Sequence, residues 1–253
     1  MFERTRRVGW KLLRPLALQA LRHTGTFDVT WRSLRQLRER GLQVRMAIDG
    51  GAAVGEWTAG FKKLYPQAAV LCIEPRDEVQ ADLERIAGNL PGVSIAKTLL
   101  GDRQGEIAFY VHKDQSSVLR NARGSTFGET RRDSVTTLDA LVKERSLSLP
   151  DLIKLDLQGS ELACLRGATD CLAHAQMVML EVLVLPLYKD APLLADIVAF
   201  MASAGFRTYD IVSLWHRPLD GALAYGDFVF VREDSPLLAD GRWSARAPWE
   251  AVR

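Results

Sequence analysis

From residue 44 onward, short apolar runs alternate with segments of helical length and period. This alternation constrains the fold more than any other feature, because strands buried on both faces need helices above and below them. Residues 44–48 read as a first strand, followed by a glycine turn and a helix over 56–64. Residues 69–73 read as a second strand ending at Glu74-Pro75, then a helix over 77–89 and a third strand over 93–96. Residues 105–111 alternate like an exposed strand or half of a hairpin, and 112–134 are polar and aperiodic, as in a loop. A helix is expected from Val135 to about Glu144, a strand over 152–155 ending at Asp156, and one helix over 160–172. A strand over 177–183, a helix over 193–204 and strands over 206–212 and 228–231 complete the pattern. No internal repeat or interdomain linker interrupts it.

The chemically informative element lies where the first strand meets its helix, in Asp49-Gly50-Gly51-Ala52-Ala53-Val54-Gly55. Glycines there let a ligand approach the backbone, since no Cβ stands in the way. The loop also sits at the carboxyl end of a strand, where open α/β sheets bind ligands. A dinucleotide fingerprint beginning at Gly50 needs glycine at position 52, which is Ala52. Asp49 would also crowd a pyrophosphate with like charge. S-adenosylmethionine carries an amino group and a sulfonium but no phosphate, so the spacing of Asp49, Gly51 and Gly55 favours the methyl donor. Glu74, at the second strand end, is placed either to accept both ribose hydroxyls or to sit solvated before Pro75. Asp102, after the third strand, fits either the adenine amino group or a turn.

Methyl transfer to a hydroxyl is an in-line displacement that depends on alignment and on a proton acceptor. Asp156, at the fourth strand end, suits two roles equally: that acceptor, or an anchor for the donor's amino group. Lys154 shares its strand face and is expected to pair with it. Glu161 reads as a base or as a carboxylate complementing its helix dipole, and His216 as a base or an exposed loop histidine. His112 and Gln115-Ser116-Ser117 are positioned to close over the donor. No two-His-plus-carboxylate cluster implies a metal.

Charge is unevenly distributed. The net charge of the chain is +2, but residues 1–45 hold 11 Lys/Arg against three acids, or +8. Residues 4–22 read as a basic amphipathic helix interrupted at Pro15. A second helix is capped by Thr30, carries Trp31, Leu34 and Leu37 on one side, and stops at Gly41. This arm fits a lid packed on the following domain, or contact with a membrane or an acidic polymer. Lys11, Arg14 and Pro15 break any signal-peptide stretch. The longest apolar run, 177–187, is too short to span a bilayer and contains Glu181 and Pro186. Three cysteines without CxxC spacing suggest neither a disulfide framework nor zinc. The expected location is cytoplasmic, with peripheral contact at the inner membrane face through residues 1–25 as an open alternative to the lid.

These residues resemble the FkbM-type methyltransferases. The family's opening Asp-Val-Gly-Ala-Asn-x-Gly is similar to residues 49–55, its second acid to Ile73-Glu74-Pro75, and its Thr-Leu-Asp to residues 137–139. The most specific match is Asp151-Leu152-Ile153-Lys154-Leu155-Asp156-Leu157-Gln158-Gly159-Ser160-Glu161, continued by Leu165-Arg166-Gly167-Ala168 and by Glu181-Val182. A family Ser-Ser element singles out Ser116 and Ser117. The resemblance spans about residues 40–235. It implies an α/β, Rossmann-like seven-stranded methyltransferase sheet with a reversed last strand and helices on both faces. It also implies S-adenosylmethionine as cofactor, and O-methylation of a sugar, glycan or natural product. The expected layout is a basic helical N-terminal extension over 1–42, the methyltransferase domain over 43–235 and a peripheral tail over 236–253. Donor-site expectations are Asp49, Gly51, Ala53, Gly55, Glu74, Asp102, Ser116, Ser117 and Asp156; catalytic ones are Asp156, His216 and Glu161. Two positions depart from the family pattern. Ala53 replaces the usual Asn, and Gln158 the usual Glu, which makes Gln158 a poor general base. The alternatives are a nucleic-acid methyltransferase using the basic arm and a non-catalytic binding module of the same fold. An NAD-linked oxidoreductase is disfavoured by Asp49 and Ala52.

Overall fold

A computed structural model describes residues 26–112, 116–122 and 129–242, with only the backbone of Thr26 and Phe27. The basic helix expected over 4–22, Gln115 and the end of the C-terminal tail lie outside the described residues.

Five parallel strands run together to one edge of the main sheet: β2 (Met46–Gly50), β3 (Ala69–Ile73), β4 (Val93–Ala96), β8 (Leu152–Leu155) and β9 (Met177–Leu183). Every residue of β2, β8 and β9 is buried, which is why these segments read as continuous apolar runs rather than alternating ones. Strand β11 (Leu223–Arg232) runs antiparallel between β9 and β10 (Phe206–His216), giving the expected seven strands with the last one reversed. An eighth strand, β1 (Thr26–Asp28), was not expected. It pairs antiparallel with β10, and the full order is β1-β10-β11-β9-β8-β2-β3-β4.

Helices cover both faces. One core packs Leu34 and Leu37 of α1 (Thr30–Glu39), Phe61 of α2 (Glu56–Leu64) and Leu83 of α3 (Gln80–Gly88) on Val70, Leu152, Met179 and Val229. The opposite core packs α4 (Leu138–Glu144), α5 (Glu161–Arg166), α6 (Thr169–His174) and α7 (Leu194–Ser203) on Ile48, Leu71, Ile153 and Leu180. Arg40 donates from Nη2 to the carbonyl of Leu237 at 2.7 Å, fixing the start of the tail to the chain just after α1.

Local competition displaced several expected boundaries. Thr30 does not cap α1: Asp28 Oδ1 accepts from the Thr30 amide at 2.8 Å, so the capping side chain stands two residues earlier. Residues 112–134 are not all loop, because β7 (Glu129–Thr136) pairs antiparallel with β6 (Gly105–Val111) and parallel with β5 (Leu99–Leu100) in a small second sheet. The helix expected from Val135 therefore starts later, at Leu138, with Thr137 Oγ1 accepting from the Ala140 amide at 3.1 Å. The single helix expected over 160–172 is two, α5 and α6, broken at Gly167. A Cβ there would lie 2.3 Å from the Gly101 carbonyl, so only glycine allows the two backbones to meet. Among the described residues, no helix is long and apolar enough to cross a membrane.

Candidate active site

At the carboxyl ends of β2, β3 and β8, a cavity of about 200 Å³, partly open to solvent, lies beneath the β6–β7 hairpin. Its floor is the turn between β2 and α2. Gly51 adopts φ +71, and a Cβ on it would sit 1.9 Å from the Asp156 carbonyl, so this glycine both makes the turn and lets two strand ends touch. Ala53 is left-handed too, at φ 48, where a β-carbon is strained. Its amide donates to Glu74 Oε2 at 2.8 Å, tying the turn to the end of β3.

Glu74 is buried rather than solvated, 3% exposed, and lines the cavity. Arg76 donates to its Oε1 from both the backbone amide (3.1 Å) and Nε (2.9 Å). Ribose hydroxyls at this carboxylate would thus compete with the Arg76 guanidinium. Leu99, Leu100, Phe109 and Leu157 supply an apolar wall, and Ser116 and Ser117 a polar edge. Ser116 Oγ accepts from the His112 amide at 2.8 Å, and Ser117 Oγ donates to the Gln158 carbonyl at 2.7 Å, so the second serine fastens the hairpin end to the β8–α5 loop.

Asp49 occupies a different place from the one its spacing suggested. It is fully buried and absent from the cavity wall. Its Oδ2 accepts from Thr58 Oγ1 at 2.7 Å, and its Oδ1 lies 3.1 Å from Lys154 Nζ, an ion pair that satisfies an oxygen with no neutral partner. Lys154 also donates to the Gly51 carbonyl at 3.2 Å and stands 3.9 Å from Asp156 Oδ2. Burial works against the Lys154 charge, but Asp49 and then Asp156 outweigh it and hold the ammonium above its ordinary pKa. Asp49 therefore supports the loop from below, through a lysine that reaches toward the site.

Asp156 lines the cavity with its side chain 37% exposed, and its Oδ1 accepts from Gln158 Nε2 at 2.9 Å. The same Gln158 amide donates to Glu181 Oε2 at 3.1 Å, while its Oε1 accepts from the Tyr188 hydroxyl at 2.6 Å. A glutamate here could accept from Tyr188 but could not donate to two carboxylates. Gln158, Glu181 and Tyr188 were missed as site residues. The resemblance pointed at the first two, but the bridge exists only because β8 and β9 are neighbours.

Besides Asp49, four expected residues stand apart from the cavity wall. Glu161 is 2% exposed, and its Oε1 accepts from the amides of Leu157 (2.6 Å) and Gly159 (3.3 Å), which makes it a brace for the β8–α5 loop. Burial raises its carboxyl to about 7. Asp102 is half exposed, 4.0 Å from Arg103, and the wall at that height is formed by Thr98 to Leu100 instead. His216 ends β10 rather than lying in a following loop, at the same edge of the sheet but outside the cavity. Gly55 precedes α2 and likewise does not line it.

The family model described as Methyltransferase FkbM domain matches residues 49–208. The 2-O-methyltransferase NoeI of Sinorhizobium fredii (strain NBRC 101917 / NGR234) is 26% identical over 189 residues, covering 69% of this chain and 76% of NoeI. Among solved structures, a Burkholderia thailandensis 1,6-didemethyltoxoflavin-N1-methyltransferase with bound 1,6-didemethyltoxoflavin and S-adenosylhomocysteine is similar at TM-score 0.45 and 12% identity, over 82% of this chain and 80% of that one. Precorrin-6y C5,15-methyltransferase from Geobacter metallireducens GS-15 is similar at TM-score 0.45 and 10% identity, over 79% and 87%. The family match runs from Asp49 through the glycine turn, the cavity and the Asp156–Glu181 bridge and covers more than half of the chain, which belongs to the FkbM methyltransferase family.

Proposed function

We propose that the protein is an O-methyltransferase acting on a hydroxyl of a small molecule or glycan, with Asp156 receiving the hydroxyl proton. The observation that carries this reading is a partly exposed carboxylate in the wall of a cavity floored by a glycine turn. The donor site we assign is Gly51, Ala53, Glu74, Ser116 and Ser117. Gly51 and Ala53 give close backbone approach, Glu74 suits vicinal hydroxyls, and Leu100, Phe109 and Leu157 suit a flat apolar base. S-adenosylmethionine supplies an electrophilic methyl group on a sulfonium leaving group. What the chain must add is alignment and a destination for one proton. Asp156 Oδ1 is tied to Gln158, leaving Oδ2, 3.9 Å from Lys154, as the less encumbered oxygen. The kinship with a 2-O-methyltransferase also favours oxygen as the acceptor atom.

The test is incubation with labelled methyl donor and fractionated cell extract, followed by mass analysis of the product. A methyl ether on a small molecule or glycan is the expected outcome; label in RNA or on an amine would overturn it. Asp156→Asn is expected to lower kcat by about 10²–10⁴-fold with little change in donor affinity. A rise in the donor dissociation constant without loss of kcat would instead make Asp156 the anchor of the donor's amino group.

A further inference from the structure

Beyond Gln158, on the side away from the glycine turn, a second set of groups converges that the donor does not need. Glu181 on β9 stands opposite Asp227 on β11, and Trp215 on β10 stands opposite Tyr225 on β11. Residues directly opposite in a ladder share a face, as do residues two apart on one strand, so these four side chains project together. They lie toward the edge of the sheet at which Asp156 and Gln158 line the cavity. The Trp215 and Tyr225 rings stack, with centroids 5.8 Å apart and planes at 16°. Trp215 keeps 40% of its surface exposed on the face that carries Glu181, which is buried, and Asp227, which is half-buried.

The charge of Asp156 acts on both Glu181 and Asp227, and Lys154 opposes it at each. Burial first, then the charge of Asp156, pushes the Glu181 carboxyl well above its ordinary range. Burial and Asp156 likewise lift Asp227 to about 6, against the hydrogen bond from Ser213. The Tyr225 hydroxyl is raised to about 12 by burial and then by Glu181 and Asp156. A field that drives resident carboxyls toward their uncharged form acts in the same sense on an anionic ligand.

We propose that this corner is the acceptor subsite and that it selects an uncharged, polyhydroxylated ring, with Gln158 and the carboxyls pairing with ring hydroxyls and Trp215 covering the C–H face. That the bound ring is also methylated rests on the function proposed above; the binding itself does not. Aromatic surface beside planar hydrogen-bonding groups matches a sugar-like ring, which is apolar on its face and polar at its rim. Phosphorylated sugars and nucleic acid are disfavoured by the same carboxyls that suit neutral hydroxyls.

The experiment is ligand-observed NMR titration of the full chain loaded with S-adenosylhomocysteine. The probes are a mixture of neutral methyl pyranosides, the corresponding sugar phosphates, and a short RNA. Neutral pyranosides are expected to bind at least about tenfold more tightly than their phosphates. Trp215→Ala is expected to weaken that binding by about tenfold, on the scale of one aromatic contact, with S-adenosylhomocysteine affinity unchanged. Trp215→Phe, which keeps a ring, should recover much of it, separating stacking from any loss of folding. The proposal is overturned if no neutral pyranoside binds, if phosphates or RNA bind as tightly, or if Trp215→Ala binds like the parent. Turnover assayed in parallel keeps the two readings distinct. Neutral binding without methyl transfer retains the subsite and removes the acceptor assignment, whereas transfer to an anionic acceptor retains the methyltransferase and removes the subsite.

Discussion

At position 53 a single methyl group sets the cost of the donor turn. Ala53 holds φ 48 with its amide committed to Glu74, so the backbone cannot relax without releasing the turn from β3. Asparagine tolerates this region better than alanine. Ala53→Asn is therefore expected to stabilise the fold by about 0.5–1 kcal/mol, a rise of roughly 1–4 °C in Tm for a chain of this size. Thermal unfolding followed by circular dichroism checks it, and an unchanged or lower Tm counts against strain at this residue. Lys154 is the opposite case, a residue whose value lies in what it neutralises. Lys154→Met would leave Asp49 buried without a counter-charge, an expected loss of about 3–5 kcal/mol in urea unfolding. Adding Asp49→Asn should recover a large part of that loss, because the orphaned charge goes with it. If the double variant is no better than the single one, the pair does not account for the effect.

Among elements, the turn from β2 to α2 is the piece whose geometry the site depends on. It is held by Glu74 from β3 and by Lys154 from β8, and it touches Asp156 through Gly51. Gly51→Ala would force its new carbon against the Asp156 carbonyl, so the turn and the β8 end must separate. The expected result is loss of S-adenosylhomocysteine binding by at least about tenfold in calorimetry, with a Tm lowered by several degrees. Retention of wild-type affinity would mean that the contact is dispensable. The turn was legible in the sequence, since glycine spacing between an apolar run and a helix has few other uses. The β6–β7 hairpin above it was half legible: residues 105–111 alternate, but β7 carries Glu129, Arg131, Arg132 and Asp133, and reads as loop. Its pairing with β6, and the Arg131 contacts to Asp133 and the Pro75 carbonyl, supply what its composition does not advertise.

The whole molecule buries several carboxyls whose folded pKa lies above the unfolded one, notably Glu161 at about 7 and Asp227 at about 6. A carboxyl raised in this way binds more protons folded than unfolded between its two pKa values. Its stability contribution is complete below the unfolded pKa, near 4, and is lost as pH rises through the folded value. Stability is therefore expected to fall between about pH 4.5 and 7, with Glu161 alone accounting for roughly 2–3 kcal/mol. Asp220 and Asp240 are shifted downward by Arg217 and Arg242, but both are exposed and screened, so they offset little of this. Urea unfolding at a series of pH values measures the slope. Glu161→Gln, which can still accept from the Leu157 and Gly159 amides, should flatten it; an unchanged slope would remove Glu161 as its source.

What the sequence determined by itself was whatever rests on local period and local spacing. Buried parallel strands must be continuous apolar runs, helices between them must be amphipathic, and a close backbone approach requires glycine. The alternation from residue 44, the turn at Gly51 and the acids at the ends of β2, β3 and β8 were therefore readable in order along the chain. The tertiary structure decided which of those acids face the cavity. Asp49 and Asp156 both end apolar strands, yet Asp49 is turned beneath the loop onto Lys154 and Thr58 while Asp156 stands in the wall. It also decided that Gln158, Glu181 and Tyr188 meet, and that Glu161 braces a loop. Those outcomes depend on strand order and on which neighbour satisfies each buried charge, and both are fixed only once β8 lies between β2 and β9.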